Sequence, residues 1–122
     1  MTATKIGIRF DQKGGKVNKK VICADGFTMS VQANENAYCS PRANHDGLYE
    51  AVEIGFPSEV EPLIMPWAED KNRPRETVYG YVPVGAVTDV IAKHGGIVEG
   101  EVPKGVAYLR AVDFLLDNSD KG

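Results

Sequence analysis

The chain of 122 residues has room for one compact domain, since independently folding domains run to roughly 100 to 200 residues. Hydrophobic residues make up 43% of the chain and charged residues 25%, ordinary globular values that exclude a disordered or fibrous protein. The net charge of -3 argues against a protein that binds long nucleic acid through bulk electrostatics. No run approaches the roughly 18 apolar residues of a membrane span, and residues 1–10 do not resemble a signal peptide. We therefore expect a cytoplasmic protein with no membrane partner.

Alternating apolar and polar residues predict five β-strands. Their ranges are 6–10, 16–24, 27–33, 48–56 and 77–82. The first two form a hairpin around turn residues 11–15, and Asp25-Gly26 makes the next reversal because both residues tolerate positive φ. The third strand has the clearest pattern, with Phe27, Met29, Val31 and Ala33 on one face and Thr28, Ser30 and Gln32 on the other.

The last two predicted strands also have defined faces. In strand 48–56 one face carries Val52, Ile54 and Phe56. In strand 77–82, Val78 and Val82 lie on one face, and Tyr79 and Tyr81 on the other. Between the two strands, Pro62 and Pro66 forbid a long helix and bracket an apolar turn that we expect to cover the core.

The pattern changes to a helical period after the strands. One helix is predicted over 83–94, ended by Gly95-Gly96, and a second from Pro103 to about 117. Strands followed by helices indicate an α+β fold, a single domain over 1–122 with an antiparallel sheet of about five strands and two short helices packed on one face. Because so small a domain often hides apolar surface by self-association, we expect a homo-oligomer.

No known catalytic motif is present in the sequence. Cys23 and Cys39 are expected to remain reduced, and their spacing with His45 and His94 does not match a zinc site, so we predict no metal and no cofactor. We expect a protein that is not an enzyme. A small hydrolase with Cys39 as nucleophile and either histidine as base stays open as an alternative. His94 is otherwise explained as a helix-end residue favoured by the helix dipole.

Anion binding has more support at the start of the second predicted helix. Lys104 and Gly105 follow Pro103 where free backbone N–H groups, an ammonium group and room for close approach would coincide, an arrangement that receives phosphate. Arg110, about a turn and a half further on, would add donors on the same side. The same residues also fit an ordinary helix start with a solvated lysine and arginine.

The polar stretch 34–47 is longer than most connections between secondary-structure elements. Within it, Tyr38, Ser40 and Arg42 combine an aromatic face, a hydroxyl and a guanidinium group, which are components of a nucleotide pocket. Tyrosine stacks on a base, and Tyr81 is a second candidate for that role. The same composition equally fits a loop that is held by its own hydrogen bonds.

Five segments resemble a group of small phage-encoded proteins, the anti-Thoeris sponge family. These segments are Thr28-Met-Ser-Val-Gln-Ala33, Tyr38-Cys-Ser-Pro-Arg42, Val52-Glu-Ile-Gly-Phe-Pro57, Val78-Tyr-Gly-Tyr-Val-Pro83 and Ala92-Lys-His-Gly-Gly-Ile97. The resemblance implies a protein that does no chemistry and binds the cyclic ADP-ribose isomers made by TIR-domain immune enzymes, keeping the signal from its effector. It also implies a small α+β homo-oligomer with pockets at subunit boundaries and, in some relatives, a separate site for cyclic oligonucleotides.

Three hypotheses of function follow. The first is a phage-type immune-evasion protein that sequesters a small cyclic nucleotide without cleaving it. Its predicted ligand-binding residues are Tyr38, Ser40, Arg42, Tyr81, Lys104, Gly105 and Arg110. The second is a protein-binding inhibitor or phage accessory protein, whose contact surface is the acidic run Glu50–Glu61. The third is the hydrolase that uses Cys39.

Overall fold

The computed structural model describes residues 17–44 and 47–112. The elements in these ranges are β1 (Val21–Cys23), β2 (Thr28–Gln32), β3 (Ala51–Gly55), a 3-10 helix (Met65–Trp67), β4 (Val78–Pro83), α1 (Val84–Lys93) and β5 (Ile97–Glu99). The predicted strand 6–10 and its turn lie outside the described residues. No helix within the described ranges is long and apolar enough to cross a membrane. The architecture is α+β, as the sequence pattern predicts.

The five strands form one antiparallel sheet in the order β4-β3-β2-β1-β5. The first four follow the chain as a meander, and α1 then connects β4 at one edge of the sheet to β5 at the other. The sequence pattern predicts no strand at 97–99, yet Ile97 pairs with Cys23 and Glu99 with Ile22. The sheet is therefore completed by a segment that follows the helix.

The core lies on one face of the sheet. The alternation predicted for β2 is confirmed, because Met29 and Val31 are buried while the residues between and beside them are only partly buried. The helix α1 contributes Val87, Val90 and Ile91 to the same apolar cluster. Each such side chain contributes about 1.5–3 kcal/mol when it is fully buried. The predicted helix 83–94 is confirmed to within one residue at each end.

The predicted apolar turn between the two prolines leads into the 3-10 helix at Met65–Trp67. Ile64 precedes this helix and is completely buried, whereas Met65 and Trp67 are partly buried against the core cluster. Leu63 remains 41% exposed, so only part of the apolar run covers the core.

A β-bulge in β4 changes the face on which its tyrosines lie. Val52 pairs with Val82 and Ile54 with Tyr79, so β4 contains one residue more than β3 between the two pairs. Tyr79 and Val82 are consequently both buried, whereas Tyr81 is 50% exposed. The prediction that places Tyr79 and Tyr81 together opposite Val82 is wrong, because strict alternation does not hold across an inserted residue.

The second predicted helix does not begin at Pro103. Residues 103–109 contain turns and no helix, and Arg110 forms a parallel bridge with Ile97 on β5. Helical backbone is present at 111–112, and the rest of the predicted helix lies outside the described residues. The described part of the chain therefore contains one α-helix where the sequence pattern predicts two.

Gly105 explains why the chain is not helical there. Its φ of 113° is far from the helical region, and a Cβ on this residue would lie 2.3 Å from the carbonyl oxygen of Tyr49. The Tyr49 N–H also donates a hydrogen bond to the Lys104 carbonyl at 2.9 Å. This backbone packing against the segment before β3 outweighs the helical period of the apolar residues that follow.

Candidate functional site

The sheet face opposite the core bears a cavity of about 490 Å³. Outward-facing residues of β2, β3 and β4 line it, together with residues 34 and 36–38 of the loop that follows β2. The lining residues that bear on function are Ser30, Gln32, Asn34, Tyr38, Glu53, Gly55 and Phe56. Clefts of roughly 300–1,000 Å³ that combine apolar walls with a few polar groups are typical of small-molecule sites. This cavity is the candidate site.

Tyr38 forms one wall of the cavity and is positioned by β4. The Tyr81 N–H donates to the Tyr38 carbonyl at 2.9 Å, and a Cβ added to Gly80 would lie 3.2 Å from the Tyr38 Cβ. The centroids of the Tyr38 and Tyr81 rings are 6.1 Å apart, and the Arg42 guanidinium carbon lies 5.1 Å from the Tyr38 centroid. Three of the predicted ligand-binding residues, Tyr38, Arg42 and Tyr81, are therefore brought together.

Two aromatic residues at this site have a left-handed backbone. Phe56 has φ 50° and Tyr81 has φ 56°, values that bulky side chains rarely adopt. Such conformations cost about 1–3 kcal/mol each and are concentrated at ligand-binding sites. Phe56 directly follows β3, is 57% exposed and lines the cavity, so its predicted place on the apolar face of that strand is wrong. The reversal of φ after Gly55 ends the alternation.

Glu53 brings negative charge to the cavity. It lies in the middle of β3 and is partly buried. Burial raises the pKa of Glu53, and the nearby Glu69 carboxylate acts in the same direction, while Arg42 and the backbone of Tyr38 act in the opposite direction. A carboxyl group in a cavity whose pKa is shifted by burial and by specific neighbours is typical of functional sites.

Two amide side chains that line the cavity differ in their hydrogen bonding. Gln32 is bound to Asn18 at both ends: its Oε1 accepts from the Asn18 N–H at 2.8 Å, and its Nε2 donates to the Asn18 carbonyl at 2.9 Å. Asn34 is only 4% exposed, and its Oδ1 accepts from the Asn36 N–H at 2.8 Å. Within residues 17–44 and 47–112, its Nδ2 has no acceptor. Asn34 is therefore a buried amide in the cavity lining.

Of the predicted ligand-binding residues, only Tyr38 lines the cavity, and Arg42 and Tyr81 lie beside it through their contacts with the Tyr38 ring. The remaining four do not line it. Ser40 connects its loop to β3, since its N–H donates to the Ala51 carbonyl at 3.0 Å. Lys104 and Gly105 form the turn against Tyr49, so the helix-start argument for phosphate binding no longer applies to them. Arg110 lies beside β5, at the sheet edge opposite to β4 and Tyr81.

The cysteines are poorly suited to nucleophilic chemistry. Cys23 and Cys39 are both free thiols and both buried. Burial raises the pKa of Cys23 to about 11 and also raises that of Cys39, whose Sγ donates to the Asn34 carbonyl at 3.2 Å. His45 lies outside the described residues. The geometry thus gives the hydrolase hypothesis no support at Cys39.

A second polar cluster forms at the end of α1, around His94. Its Nε2 lies 2.7 Å from Oε1 of Glu61, which is 1% exposed, and its Nδ1 lies 2.6 Å from Oδ2 of the half-exposed Asp25. Lys93 Nζ donates to Glu61 Oε2 at 2.9 Å, and the Phe27 ring stacks on His94 with centroids 4.0 Å apart. His94 is thus the helix-end residue that the sequence indicates. It also ties α1 to the turn between β1 and β2.

The ionisation of this cluster favours the charged forms. Burial opposes a charged imidazole, but the hydrogen bonds and charges of Glu61 and Asp25 outweigh it and raise the pKa of His94 above its usual 6.5. Burial likewise opposes the carboxylates, yet hydrogen bonds from the backbone and from His94 lower the pKa of Glu61 below 4.5 and that of Asp25 below 3.8. An imidazolium between two carboxylates results.

The His94 cluster predicts a stability maximum between about pH 4.5 and 6.5. The His94 contribution is fully present below pH 6.5 and is lost as pH rises through the raised pKa of the folded state. The carboxylate contributions are present above pH 4.5 and are lost as pH falls through the lowered pKa values. Urea unfolding at pH 5.5 and 8.5 measures the loss of stability above pH 6.5. The control variant His94→Gln should show little of this loss. Equal stability at both pH values in the parent protein would contradict the prediction.

Sequence reasoning misses several residues that the cavity uses. Glu53 lies on the polar side of an alternating strand. The only sequence signal at this position is a single carboxylate on the face opposite the core, in a strand that is central in the sheet. Asn34 and Phe56 give no such signal, because their roles depend on a loop closing over the sheet and on a reversed φ. The partnership of Glu61 with His94 joins distant segments and has no local pattern.

Comparison with known proteins identifies no relative, since no family model, curated protein sequence or solved structure matches the chain. Within the described ranges, no three His, Cys, Asp or Glu side chains are arranged to hold a metal ion. The argument for function therefore rests on the cavity and its surroundings.

Proposed function

We propose that the protein is a binding protein that captures a small nucleotide at the cavity beside Tyr38 and holds it without cleaving it. The observation that carries this proposal is the pair of exposed tyrosines, with the Arg42 guanidinium 5.1 Å from the Tyr38 centroid, next to a cavity of about 490 Å³. Tyr38 stacks on the base, and Arg42 pairs with a phosphate. The resemblance to the sponge family makes a cyclic ADP-ribose isomer the first ligand to test.

The surroundings of the site fit capture better than catalysis. The cavity-lining side chains are those of a tyrosine, a phenylalanine, two valines, an alanine, three amides, a serine and Glu53, and no thiol or histidine lines the cavity in the described part of the chain. Ser30 Oγ accepts a hydrogen bond from Gln32 Nε2 at 3.0 Å, and among the described residues no histidine lines the cavity as a base for it. A sequestering protein needs stacking surfaces and hydrogen-bonding groups but no general base.

The protein-binding hypothesis has less support. Its proposed contact surface is the acidic run Glu50–Glu61, but Glu61 is buried in the pair with His94 and Glu53 lines the cavity. Glu50 and Glu59 are the exposed carboxylates that remain in this run. Self-association stays a prediction, which light scattering on the purified protein tests.

Replacing Tyr38 by alanine tests the proposed function. Stacking of a base on an aromatic ring contributes about 1–3 kcal/mol, so Tyr38→Ala is expected to weaken binding of a cyclic ADP-ribose isomer by roughly 5- to 150-fold in calorimetric titration. Ligand released from the parent protein by heating should have unchanged mass and chromatographic retention.

Tyr108→Ala is the matched control. Tyr108 is also a partly exposed tyrosine, but its hydroxyl donates to the Gly100 carbonyl, beyond the end of β5 and away from the cavity lining. This variant should bind as the parent does. If Tyr38→Ala and Tyr108→Ala behave alike, or if the ligand is recovered in a cleaved form, capture at this cavity is wrong.

A further inference from the structure

The cavity beside Tyr38 carries a negative charge and has no cation in its described lining. Among the described residues that line it, Glu53 is the only charged one. The Glu53 side chain projects to this side of the sheet, because its neighbours in β3, Val52 and Ile54, face the core. Within residues 17–44 and 47–112, the Glu53 carboxylate forms no ion pair. The ionisable group that a ligand meets in this cavity is therefore a carboxylate.

The surroundings of Glu53 leave an excess of negative charge. Glu69 acts on Glu53 electrostatically, and its Oε2 lies 3.6 Å from the position of a Cβ added to Gly80, which is also close to the Tyr38 Cβ. Arg42 supplies the opposing charge. Burial and Glu69 nevertheless raise the pKa of Glu53. The ionised carboxylate is thus unfavourable in the folded protein, and a cation beside it would stabilise it.

The walls of the cavity favour a cation that is flat and organic. Tyr38 and Phe56 contribute aromatic side chains. Aliphatic surface comes from Val17, Ala37 and Val78. Aromatic rings attract cations over their faces, and the Tyr38 ring already holds one, since the Arg42 guanidinium carbon lies 5.1 Å from its centroid. Within the described ranges, no three acidic, histidine or cysteine side chains are arranged for a metal ion. The cavity therefore favours an organic cation over a metal ion.

We infer that the group that enters the cavity is a positively charged, N-alkylated heteroaromatic base, held between the Glu53 carboxylate and the aromatic walls. This inference rests on the proposed function and adds the class of the ligand. In that function the base stacks on Tyr38, so the base is the part of the nucleotide that faces Glu53. A pyridinium ring is flat and carries a permanent charge, so it meets both requirements. An uncharged base would leave the partly buried carboxylate without a counter-charge.

Two forms of one nucleotide test the charge of the base. Nicotinamide mononucleotide carries a pyridinium ring, whereas its reduced form has nearly the same size and the same phosphate but an uncharged dihydropyridine ring. We expect the parent protein to bind the oxidised form about tenfold more tightly in calorimetric titration at pH 8. Equal affinities, or tighter binding of the reduced form, would overturn the inference.

Substitutions of Glu53 test the source of this preference. Glu53→Gln removes the charge at nearly constant volume and should reduce the preference to about twofold or less, whereas Glu53→Asp keeps the charge and should retain part of it. Glu99→Gln is the matched control, because Glu99 is an exposed carboxylate on β5, separated from β3 by two strands. The control should keep the preference of the parent. A tenfold preference that persists in Glu53→Gln would contradict the inference.

The melting temperature distinguishes loss of the site from loss of the fold. Because the raised pKa of Glu53 shows that its charge is unfavourable in the folded protein, Glu53→Gln should melt no lower than the parent at pH 8. A lower melting temperature would show that the protein itself neutralises this carboxylate, and the inference would then be wrong.

The outcomes also separate this inference from the proposed function. If AMP or a cyclic ADP-ribose isomer binds, but the two forms of nicotinamide mononucleotide bind equally, the inference is wrong and nucleotide capture stands. If none of these nucleotides binds the parent protein, the inference and the proposed function both fail. Tighter binding of the oxidised form that is lost in Glu53→Gln supports both.

Discussion

Glu61→Gln is expected to lower the free energy of unfolding by about 3–5 kcal/mol, which corresponds to a melting temperature roughly 10–20 °C lower. The substitution leaves the volume nearly unchanged but removes the charge from a residue that is 1% exposed and receives hydrogen bonds from His94, Lys93 and the Leu63 N–H. The imidazolium of His94 then loses the more buried of its two counter-charges. Urea unfolding at pH 5.5 measures the effect.

Two control variants distinguish the effect of breaking the buried pair from the effect of removing any charged side chain. Asp25→Asn removes the half-exposed partner of the same imidazole and should cost about 1 kcal/mol or less, and Arg73→Ala breaks an exposed ion pair with Glu76 and should cost even less. The double variant Glu61→Gln with His94→Gln should cost less than the sum of the two single changes. A Glu61→Gln protein as stable as the parent would show that the pair does not stabilise the fold.

Gly100→Ala is the second substitution for which a large effect is expected, a loss of about 2–5 kcal/mol. Gly100 has φ 122°, and a Cβ there would lie 2.4 Å from the Lys20 carbonyl oxygen and 2.6 Å from the Val21 Cα. Neither neighbour is a flexible side chain, so the backbone after β5 would have to move away from β1. The loss is measured as a lower midpoint of urea unfolding.

Two other glycines separate the two causes of this loss, which are the backbone strain at positive φ and the overlap of the added Cβ with its neighbours. Gly26 has φ 96° but no atom within 4 Å of an added Cβ, so Gly26→Ala measures the backbone strain without the overlap. Gly85 is in α1, also with nothing within 4 Å, and Gly85→Ala should be neutral or stabilising by up to about 1 kcal/mol. If Gly100→Ala were no more destabilising than Gly26→Ala, the close packing of β5 on β1 would not be a source of stability.

Local sequence pattern predicts well the elements that depend on period alone. The alternation of β2 and the helical period of α1 are both present, because each buries one face against the core without help from distant residues. The pattern fails where a single residue changes the local backbone. The β-bulge at Tyr81 gives β4 one extra residue, and Gly105 forms a turn against Tyr49 where a helix is predicted to begin. Backbone contacts between distant segments decide such positions, and no periodicity reports them.

The candidate site shows the same division. The long loop with Tyr38 and Arg42 is recognisable from composition, because stacking and phosphate-pairing residues cluster within a few positions. Lys104 and Arg110 are grouped with them only through an assumed helix, and they do not line the cavity. Glu53 belongs to the site because β3 is the neighbour of β2 and β4, which only the strand order reveals.

The pairing of β1 with β5 has a consequence for synthesis of the chain on the ribosome. β1 is made early, but its outer edge receives its partner only after the meander and α1 have been translated. Until Ile97 emerges, a nascent chain presents the backbone groups of Ile22 and Cys23 to any passing strand. Closure of the sheet is therefore expected late in folding, and a chain truncated before Ile97 should aggregate more readily than the full-length protein.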